Sequence, residues 1–300
     1  MSNQPAVSVV IPTHNYASYL PKALQSCLNQ TYKNIEIIVV DDGSNDGTCE
    51  LLGGYGDRVR YVHQEHRGAS AARNRGLSLA RGEFVNFLDA DDYFTEDSIE
   101  SRLRILSESN EIGAVISSSY RQRKSDGATH PVTTFKPKIK HDTISDKFYE
   151  DLLLEKISFA TCTALIRSSL AKQFKFPVHI TNGEDIAYFT KVFFSTKGYY
   201  LARPTAVVLK HPESLRHDIK KIRNQDIALV HTIFDDAFYE GKLEYLRKEF
   251  TSITYLSLSR SFYRAADKKH ARKYYIAAIR HKPFNVLRVN AFTKFLRSFF

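Results

Sequence analysis

Cysteine is scarce in this chain and follows no pattern. Cys27, Cys49 and Cys162 are odd in number and far apart, which argues against a disulfide framework or a zinc-binding set and for reduced thiols in a cytoplasmic protein. No uninterrupted apolar run reaches the ~20 residues of a bilayer-spanning helix. The opening MSNQPAVSVVIP has no basic stretch ahead of its apolar residues, so no secretory leader is expected. Glycine-rich phosphate loops are missing as well. The first predicted strand is followed by PTHNYA, where a dinucleotide fold carries G-x-G-x-x-G, and no P-loop occurs. A dinucleotide-dependent dehydrogenase is thereby excluded. Acidic residues are nearly absent from one region. The last fifty residues hold eleven of the 43 Lys and Arg but one of the 33 acids, Asp267, so the other 250 residues carry 32 of each sign and balance. The net charge of +10 is therefore a property of the tail.

What is present suits a soluble globular protein. Of the 300 residues 43% are hydrophobic and 25% charged, enough for a sizeable core in one large domain or two smaller ones. The stretch Phe84–Tyr93, FVNFLDADDY, is the most informative. A run of strand character ends in Asp89, Asp91 and Asp92. A buried parallel strand would place these carboxylates at its carboxyl end, the edge where open α/β sheets bind ligands. Asp89 and Asp91, two residues apart, can converge on one hard cation such as Mg²⁺ or Mn²⁺. The competing reading is a solvated acidic loop capping the next helix, with Asp97 and Ser98 able to cap too.

The rest of the chain alternates strands and helices. Strands are expected at Val7–Ile11, Ile35–Val40, Val59–His63, Phe84–Leu88 and Ile112–Ser117. Helices are expected at Tyr19–Asn29, with Ser18 as N-cap, at Gly68–Ala80 and at Asp97–Ser107. This alternation implies right-handed βαβ crossovers and a mostly parallel sheet flanked by helices. Asp42 and the Asp89/Asp91 pair then close different strands on one edge. Ser118–Lys147 is polar and basic and reads as a loop or edge excursion. Phe148–Leu154 reads as a helix and Phe159–Ile166 and Val207–Lys210 as strands. From about Gln225 the pattern is helical, an α-helical C-terminal extension.

The segments IPTHN, VVDDGSNDGT, GASAARNRG, FLDADD and the later GED, in that order and each at a strand end or helix start, resemble the successive motifs of the inverting family-2 glycosyltransferases, which have the GT-A fold. The resemblance covers roughly residues 5–220. It implies a nucleotide-sugar donor, UDP-linked before dTDP-linked, and a divalent metal, Mn²⁺ or Mg²⁺. It also implies roles residue by residue. Pro12, Thr13 and Asn15 would lie along the base. Asp42 would accept its N3–H, which suits a group that only accepts hydrogen bonds. Arg73 would face base and phosphates, with Asn74 holding the loop. Asp89 would meet the ribose and Asp91 the metal, with Asp92 behind them. Asp185 would be the catalytic base, with Glu184 positioning it or binding the acceptor. His211 would join the metal, and Lys210, Ser214 and Arg216 would meet the diphosphate. Plainer readings stand beside these: Asp41 and Asp42 as turn formers, Arg73 as a surface charge, Glu184 and Asp185 as an acidic pair at a helix N-terminus. Where the family has Y-R before its histidine, this chain has Leu209-Lys210.

These expectations divide the chain into a nucleotide-sugar half (1–117), an acceptor and catalytic half (118–224) and a basic helical extension (225–300). Tyr263, Ala271, Tyr275 and Ala278, closed by Pro283, resemble one tetratricopeptide-like helix pair. Asn285–Phe300 is a basic amphipathic segment that suits an anionic membrane face, a partner groove or its own catalytic domain. The expected function is transfer of a sugar to a glycan or lipid-linked acceptor in surface polysaccharide or lipopolysaccharide synthesis, in the cytoplasm and peripheral at the inner membrane face. Two rivals carry their own signatures. A sugar-phosphate nucleotidyltransferase needs a Gly-rich basic loop after the first strand, which is missing. A catalytically dead glycan- or lipid-binding scaffold would lose Asp91 or Asp185, and both are present. Nucleic acid is not an expected partner, because the tail's basic residues lie among apolar ones.

Overall fold

The computed structural model describes residues 6–123, 138–211 and 227–284, the backbone of 132–134 and the single positions 292 and 295. The chain divides into two units, residues 1–178 with 188–211 and residues 179–187 with 212–300.

The first unit is built on one sheet. Its strands are β1 (Val7–Thr13), β2 (Ile35–Asp42), β3 (Arg60–Gln64), β4 (Phe84–Phe87), β5 (Tyr93–Phe94), β6 (Ile112–Arg123), β7 (Val132–Thr134), β8 (Thr143–Ser145), β9 (Ala164–Arg167) and β10 (Lys197–Lys210). The helices are α1 (Leu20–Leu28), α2 (Thr48–Gly53), α3 (Ala69–Leu79), α4 (Ser98–Glu108), α5 (Phe148–Leu153), α6 (Ser168–Ala171) and the later turns of α7 (Glu184–Phe194). The spatial order is β3-β2-β1-β4-β9-β6-β10-β5, with β7 beside β6 and β8 beside β10.

The first four strands are parallel. The β-branched runs of β1 and β2 are buried on both faces over most of their length, which is why they lack polar alternation, whereas β3 at the sheet edge is only half-buried. Val7, Val9, Val10 and Ile11 are wholly buried, each stabilising the fold by about 1.5–3 kcal/mol. Val9, Ile11, Ile37 and Val39 face the layer of Leu20, Leu24 and Cys27 of α1 and Ile99 and Leu103 of α4. Ile38 and Val40 face the opposite layer, against Ala72 and Ala80. The small residues of α3 bring its backbone close to β1, and a methyl at Gly76 would overlap Val10.

Beyond β4 the sheet is mixed, where the sequence led us to expect mostly parallel pairing. β9 runs antiparallel to both β4 and β6, while β10 is parallel to β6. The strand expected over Phe159–Ile166 begins only at Ala164, after a single 3-10 turn at Thr161–Thr163. Buried side chains divert the backbone there: Arg102 donates to Cys162 O (2.9 Å) and Asn86 to Ala164 O (2.6 Å). β6 runs on to Arg123, through the start of the expected loop. β10 is 14 residues long, and its register with β6 breaks around Pro204, which has no N–H to donate. Helix α1 starts at Leu20 and has no side-chain cap, so Ser18 is not its N-cap; Tyr16 O receives the first amides instead.

The second unit contains α8 (Ala228–Phe234), α9 (Glu244–Arg264) and α10 (Lys268–His281), the expected helical extension. In it α9 and α10 pack as a pair. Leu258 and Phe262 meet Ala271 and Tyr274, and Leu256 meets Tyr275 and Ala278. Ser252 and Ser259 donate across the seam to Ala278 O and Ala271 O, both at 2.8 Å. Phe295, an isolated described position, stacks on Tyr275 with ring centres 4.1 Å apart. The rest of the amphipathic segment 285–300 lies outside the described residues, apart from Phe292. No helix among the described residues is long and apolar enough to cross a membrane.

Candidate active site

The carboxyl ends of β1, β2 and β4 carry most of the residues singled out above. β4 ends when Leu88 N–H donates to Val10 O, and the chain then turns, with Asp92 N–H returning to Asp89 O at 3.0 Å. Each aspartate has a separate set of partners. Asp89 accepts from Arg73 (2.8 Å) and from the Thr161 hydroxyl (2.9 Å). Arg73 projects from α3 with its side chain 7% exposed, and its guanidinium lies 5.4 Å from the Phe176 ring centre. Asn74 fixes that ring by clamping the Phe176 backbone, accepting from its N–H and donating to its C=O at 2.8 Å each.

Asp91 faces His211, with Nε2 2.9 Å from Oδ2. The His211 side chain is 4% exposed, stacked on Tyr19 (ring centres 4.5 Å, 28°) and met edge-on by Tyr16. Asp92, buried, accepts from Leu209 N–H at 2.9 Å and from the Cys162 thiol at 3.6 Å. That contact ties the end of β10, and so His211, to the aspartate turn. Behind Cys162, the wholly buried Arg102 spreads its donors over Ser98 O, Ser98 Oγ, Cys162 O and Asn86 Oδ1.

This pair suits a hard divalent cation. Burial, and then the neighbouring Asp89 charge, push the Asp91 carboxyl above its usual range, the situation a cation relieves. Among the described residues the buried His211 Nδ1 has no hydrogen-bond partner. A carboxylate and an imidazole on one point are ligands that Mn²⁺ accepts. Among the described residues no set of three or more His, Cys, Asp or Glu gathers here. A cation held by Asp91 and His211 would therefore take its remaining ligands from phosphate oxygens and water, the usual arrangement where a nucleotide is bound.

The second part of the edge is organised by Asp42, buried at 2% exposure. Oδ1 accepts from Gln64 (2.6 Å) and Arg67 N–H (2.9 Å); Oδ2 accepts from Gly68 N–H (2.7 Å) and lies 2.8 Å from His66 Nδ1. A carboxylate has about four acceptor positions, and here all are in use. The His66 imidazole, 60% exposed, stands where a base N–H would have to approach. Asp41 is the turn former: it accepts from Ser44 N–H (2.9 Å) and Tyr61 OH (3.0 Å). Asn15, in the left-handed region at φ 55°, joins the first loop to the second through Ser44 Oγ and Asn45 N–H. The Thr13 hydroxyl is buried without a partner. Pro12 lies within β1 opposite Val40. One loop spans both parts of the edge: His14 sits 2.8 Å from Asp42 O, and Tyr16 and Tyr19 lie on His211.

Thus Arg73 meets Asp89, Asp91 meets His211, and Thr13, Asn15 and Asp42 share the neighbouring loops. Lys210 closes β10 immediately before His211. Glu184 and Asp185 form the first turn of α7 and belong to the second unit; Asp185 Oδ1 accepts from Ile186 N–H at 2.8 Å. Ser214 and Arg216 lie outside the described residues. Sequence reasoning missed Thr161, Cys162, Tyr19, His66 and Arg102. Arg102 alone left a signal, because it sits on the apolar stripe of Ile99, Leu103 and Leu106.

The sequence model described as Glycosyl transferase family 2 matches residues 8–174. An uncharacterized glycosyltransferase of Rickettsia typhi is 30% identical over 249 residues, 82% of this chain and 74% of that protein. Among solved structures, S. aureus TarS in complex with UDP-GlcNAc superposes with a TM-score of 0.63 at 17% identity, covering 98% of this chain and 89% of that one. The mannosyltransferase PcManGT from Pyrobaculum calidifontis, in complex with GDP-Man and Mn²⁺, superposes at 0.56 and 19% identity, covering 99% and 86%. At these identities the superpositions establish a shared GT-A fold.

Proposed function

The chain belongs to glycosyl transferase family 2, and from that membership we propose that it moves a sugar from a nucleoside-diphosphate donor to a hydroxyl of a glycan or lipid-linked acceptor, with inversion at the anomeric carbon. The observation that carries the proposal is the pairing of Arg73 with Asp89 and of Asp91 with His211 at the carboxyl ends of β4 and β10. It provides one neutralised carboxylate for the sugar hydroxyls of a nucleotide and one carboxylate–imidazole pair for a cation. Residues 1–117 handle the donor, 118–224 the acceptor and the chemistry, and 225–300 the attachment of the enzyme.

The residues divide the work by chemistry. Thr13 and Asn15 border the base, and Asp42 accepts its N3–H once His66 swings away from Oδ2. Asp89, held by Arg73 and Thr161, receives the ribose. Arg73 and Lys210 face the diphosphate, and the family resemblance gives Ser214 and Arg216, which lie outside the described residues, the same role. Asp91 and His211 hold Mn²⁺ or Mg²⁺, which when bound offsets the charge gathering on the departing diphosphate. The reaction is one displacement. The acceptor oxygen forms a bond to the anomeric carbon while the bond from that carbon to the β-phosphate oxygen breaks on the opposite face. Asp185 takes the hydroxyl proton, Glu184 orients the acceptor, and the nucleoside diphosphate leaves with the bonding electrons. UDP is the favoured donor nucleotide, before dTDP, the neighbour fold with UDP-GlcNAc supporting that order. Bacterial surface-glycan assembly at the cytoplasmic membrane face suits such an acceptor.

Calorimetric titration of UDP, dTDP and GDP, with and without Mn²⁺, on the wild type and Asp91→Ala tests the reading. Metal-dependent binding of UDP or dTDP that the substitution abolishes is the expected result. Absence of binding to every nucleotide in the presence of metal would overturn it and leave the aspartate cluster a structural turn.

A further inference from the structure

The second unit has a surface that sugar transfer does not use. The inward face of α10 is settled by its contacts: Ala271, Tyr274, Tyr275 and Ala278 lie buried against α9. The opposite face follows from helical spacing. Lys269, Lys273, Ile276 and Arg280 recur at intervals of four, three and four, which places them in one stripe, and Phe284 follows in a short turn beyond the helix end at His281. All five are exposed, Ile276 at 44% and Phe284 at 81%.

Two properties separate this stripe from an ordinary solvated helix face. From Lys268 to the last residue the chain has no acid, so nothing on α10 offsets its cations. The acids of the neighbouring helix, Glu244 and Glu249, precede Thr251, and Glu249 is engaged by Lys282 at 2.9 Å. Asp267, the helix cap, is turned onto His270. The second property is that large apolar side chains stand between the cations. A solvated basic face has no need of an exposed isoleucine in its middle and an exposed phenylalanine at its end. A nucleic-acid face would offer polar or stacking groups instead. Cations flanking protruding aliphatic and aromatic groups match an anionic bilayer surface, where the charges meet headgroups and the apolar groups reach the acyl boundary.

We propose that the outward stripe of α10, Lys269, Lys273, Ile276 and Arg280, together with the exposed Phe284 just beyond the helix, is a docking surface for an anionic lipid bilayer. The surface holds the enzyme at a membrane by adsorption. The proposal is independent of the transferase reading, since it uses no residue of the nucleotide edge.

The test is flotation of the full chain with vesicles of phosphatidylcholine alone and with added phosphatidylglycerol, at low and high salt. Three chains are compared: wild type, K269E/K273E/R280E and I276S/F284S. Circular dichroism and UDP affinity show that each variant is folded. Wild type should float with the anionic vesicles only and be released by salt. Charge reversal should weaken partitioning at least about a hundredfold, since each cation contributes roughly fivefold near an anionic surface. I276S/F284S should weaken it by roughly tenfold or more, because its exposed apolar groups no longer enter the interface. Wild-type chain that ignores anionic vesicles overturns the proposal. So does flotation unchanged in I276S/F284S and abolished by heparin, which would make the stripe a polyanion site, and so does a stripe that is buried in a dimer by sedimentation. Loss of UDP binding with flotation intact would refute the transferase reading and leave this one standing.

Discussion

Arg102→Met separates two things that the buried guanidinium does at once. Its side chain is wholly buried with no carboxylate partner, and its pKa is lowered by desolvation from the usual 12.5 to about 10. Keeping a charge there costs about 3 kcal/mol by that measure. Removing it relieves this cost but takes the donors from Cys162 O and Asn86 Oδ1. Each buried acceptor left unmet costs about 1–3 kcal/mol. The two effects nearly cancel, so stability should fall by only about 1 kcal/mol, the size of an ordinary substitution. The local effect does not cancel. Cys162 O is the anchor of the 161–163 turn, and Thr161 is what that turn presents to Asp89. Losing one hydrogen bond of about 1 kcal/mol weakens nucleotide affinity about fivefold. Urea unfolding followed by near-UV circular dichroism gives the first quantity and UDP titration the second. Arg102→Lys is the control: it keeps the charge but lacks the planar fork that reaches four acceptors, and it should be less stable than the methionine variant. Unchanged affinity in Arg102→Met would show that the turn needs no anchor. A stability loss above ~4 kcal/mol would show that desolvation was overstated.

Three further outcomes follow from the site. Asp91→Asn and His211→Ala should each weaken Mn²⁺-supported UDP binding by roughly 10–100-fold or more while leaving metal-free binding nearly unchanged, as calorimetry in the presence of a chelator would show. Asp185→Asn should lower turnover by roughly 10²–10⁴-fold with UDP affinity retained; if UDP affinity collapsed as well, Asp185 would be a donor ligand and not the base. At pH 8 a thiol reagent should modify only Cys49 in the folded chain. Burial pushes the Cys27 thiol up to about 12 and the Cys162 thiol well above its usual value, with Asp92 adding to the second. The reactive thiolate is thus nearly absent at both until unfolding brings their pKa values down, and mass spectrometry of digests would register which cysteines react.

The legible part of the fold was the part that repeats a local signal. β1, β2 and β4 are dominated by buried apolar residues because both of their faces are covered over most of their length, and a short apolar run ended by Pro or Asp is readable without a partner. β10 was read as four residues instead of 14 because Lys197, Arg203 and Pro204 break the pattern, and its length is set by pairing with β6. The antiparallel insertion of β9 was invisible for the same reason. Its first carbonyl, Ala164 O, answers to Asn86, and that of Cys162 in the turn before it to Arg102, residues about eighty and sixty positions earlier. In the site, the aspartates and Arg73 could be named from order along the chain. Thr161, Tyr19 and His66 could not, since each acts through a contact made only after folding. The four donors on Asp42 likewise come from a segment, 64–68, that carries no signal of its own.

Asp92 has a consequence for biosynthesis. Its carboxylate joins the aspartate turn to Cys162 and to Leu209, partners 70 and 117 positions further along the chain. A nascent chain can complete β1 to β4 with all their mutual hydrogen bonds while Asp91 still lacks His211, because His211 follows β10, whose Leu209 N–H is held by Asp92. Closing so long a loop is slow and is rewarded only when the last strand arrives. The contacts of Asp91 and Asp92 with the end of β10 therefore become available only after all of β1 to β4 has been synthesised, and a chain truncated ahead of residue 209 would lack both.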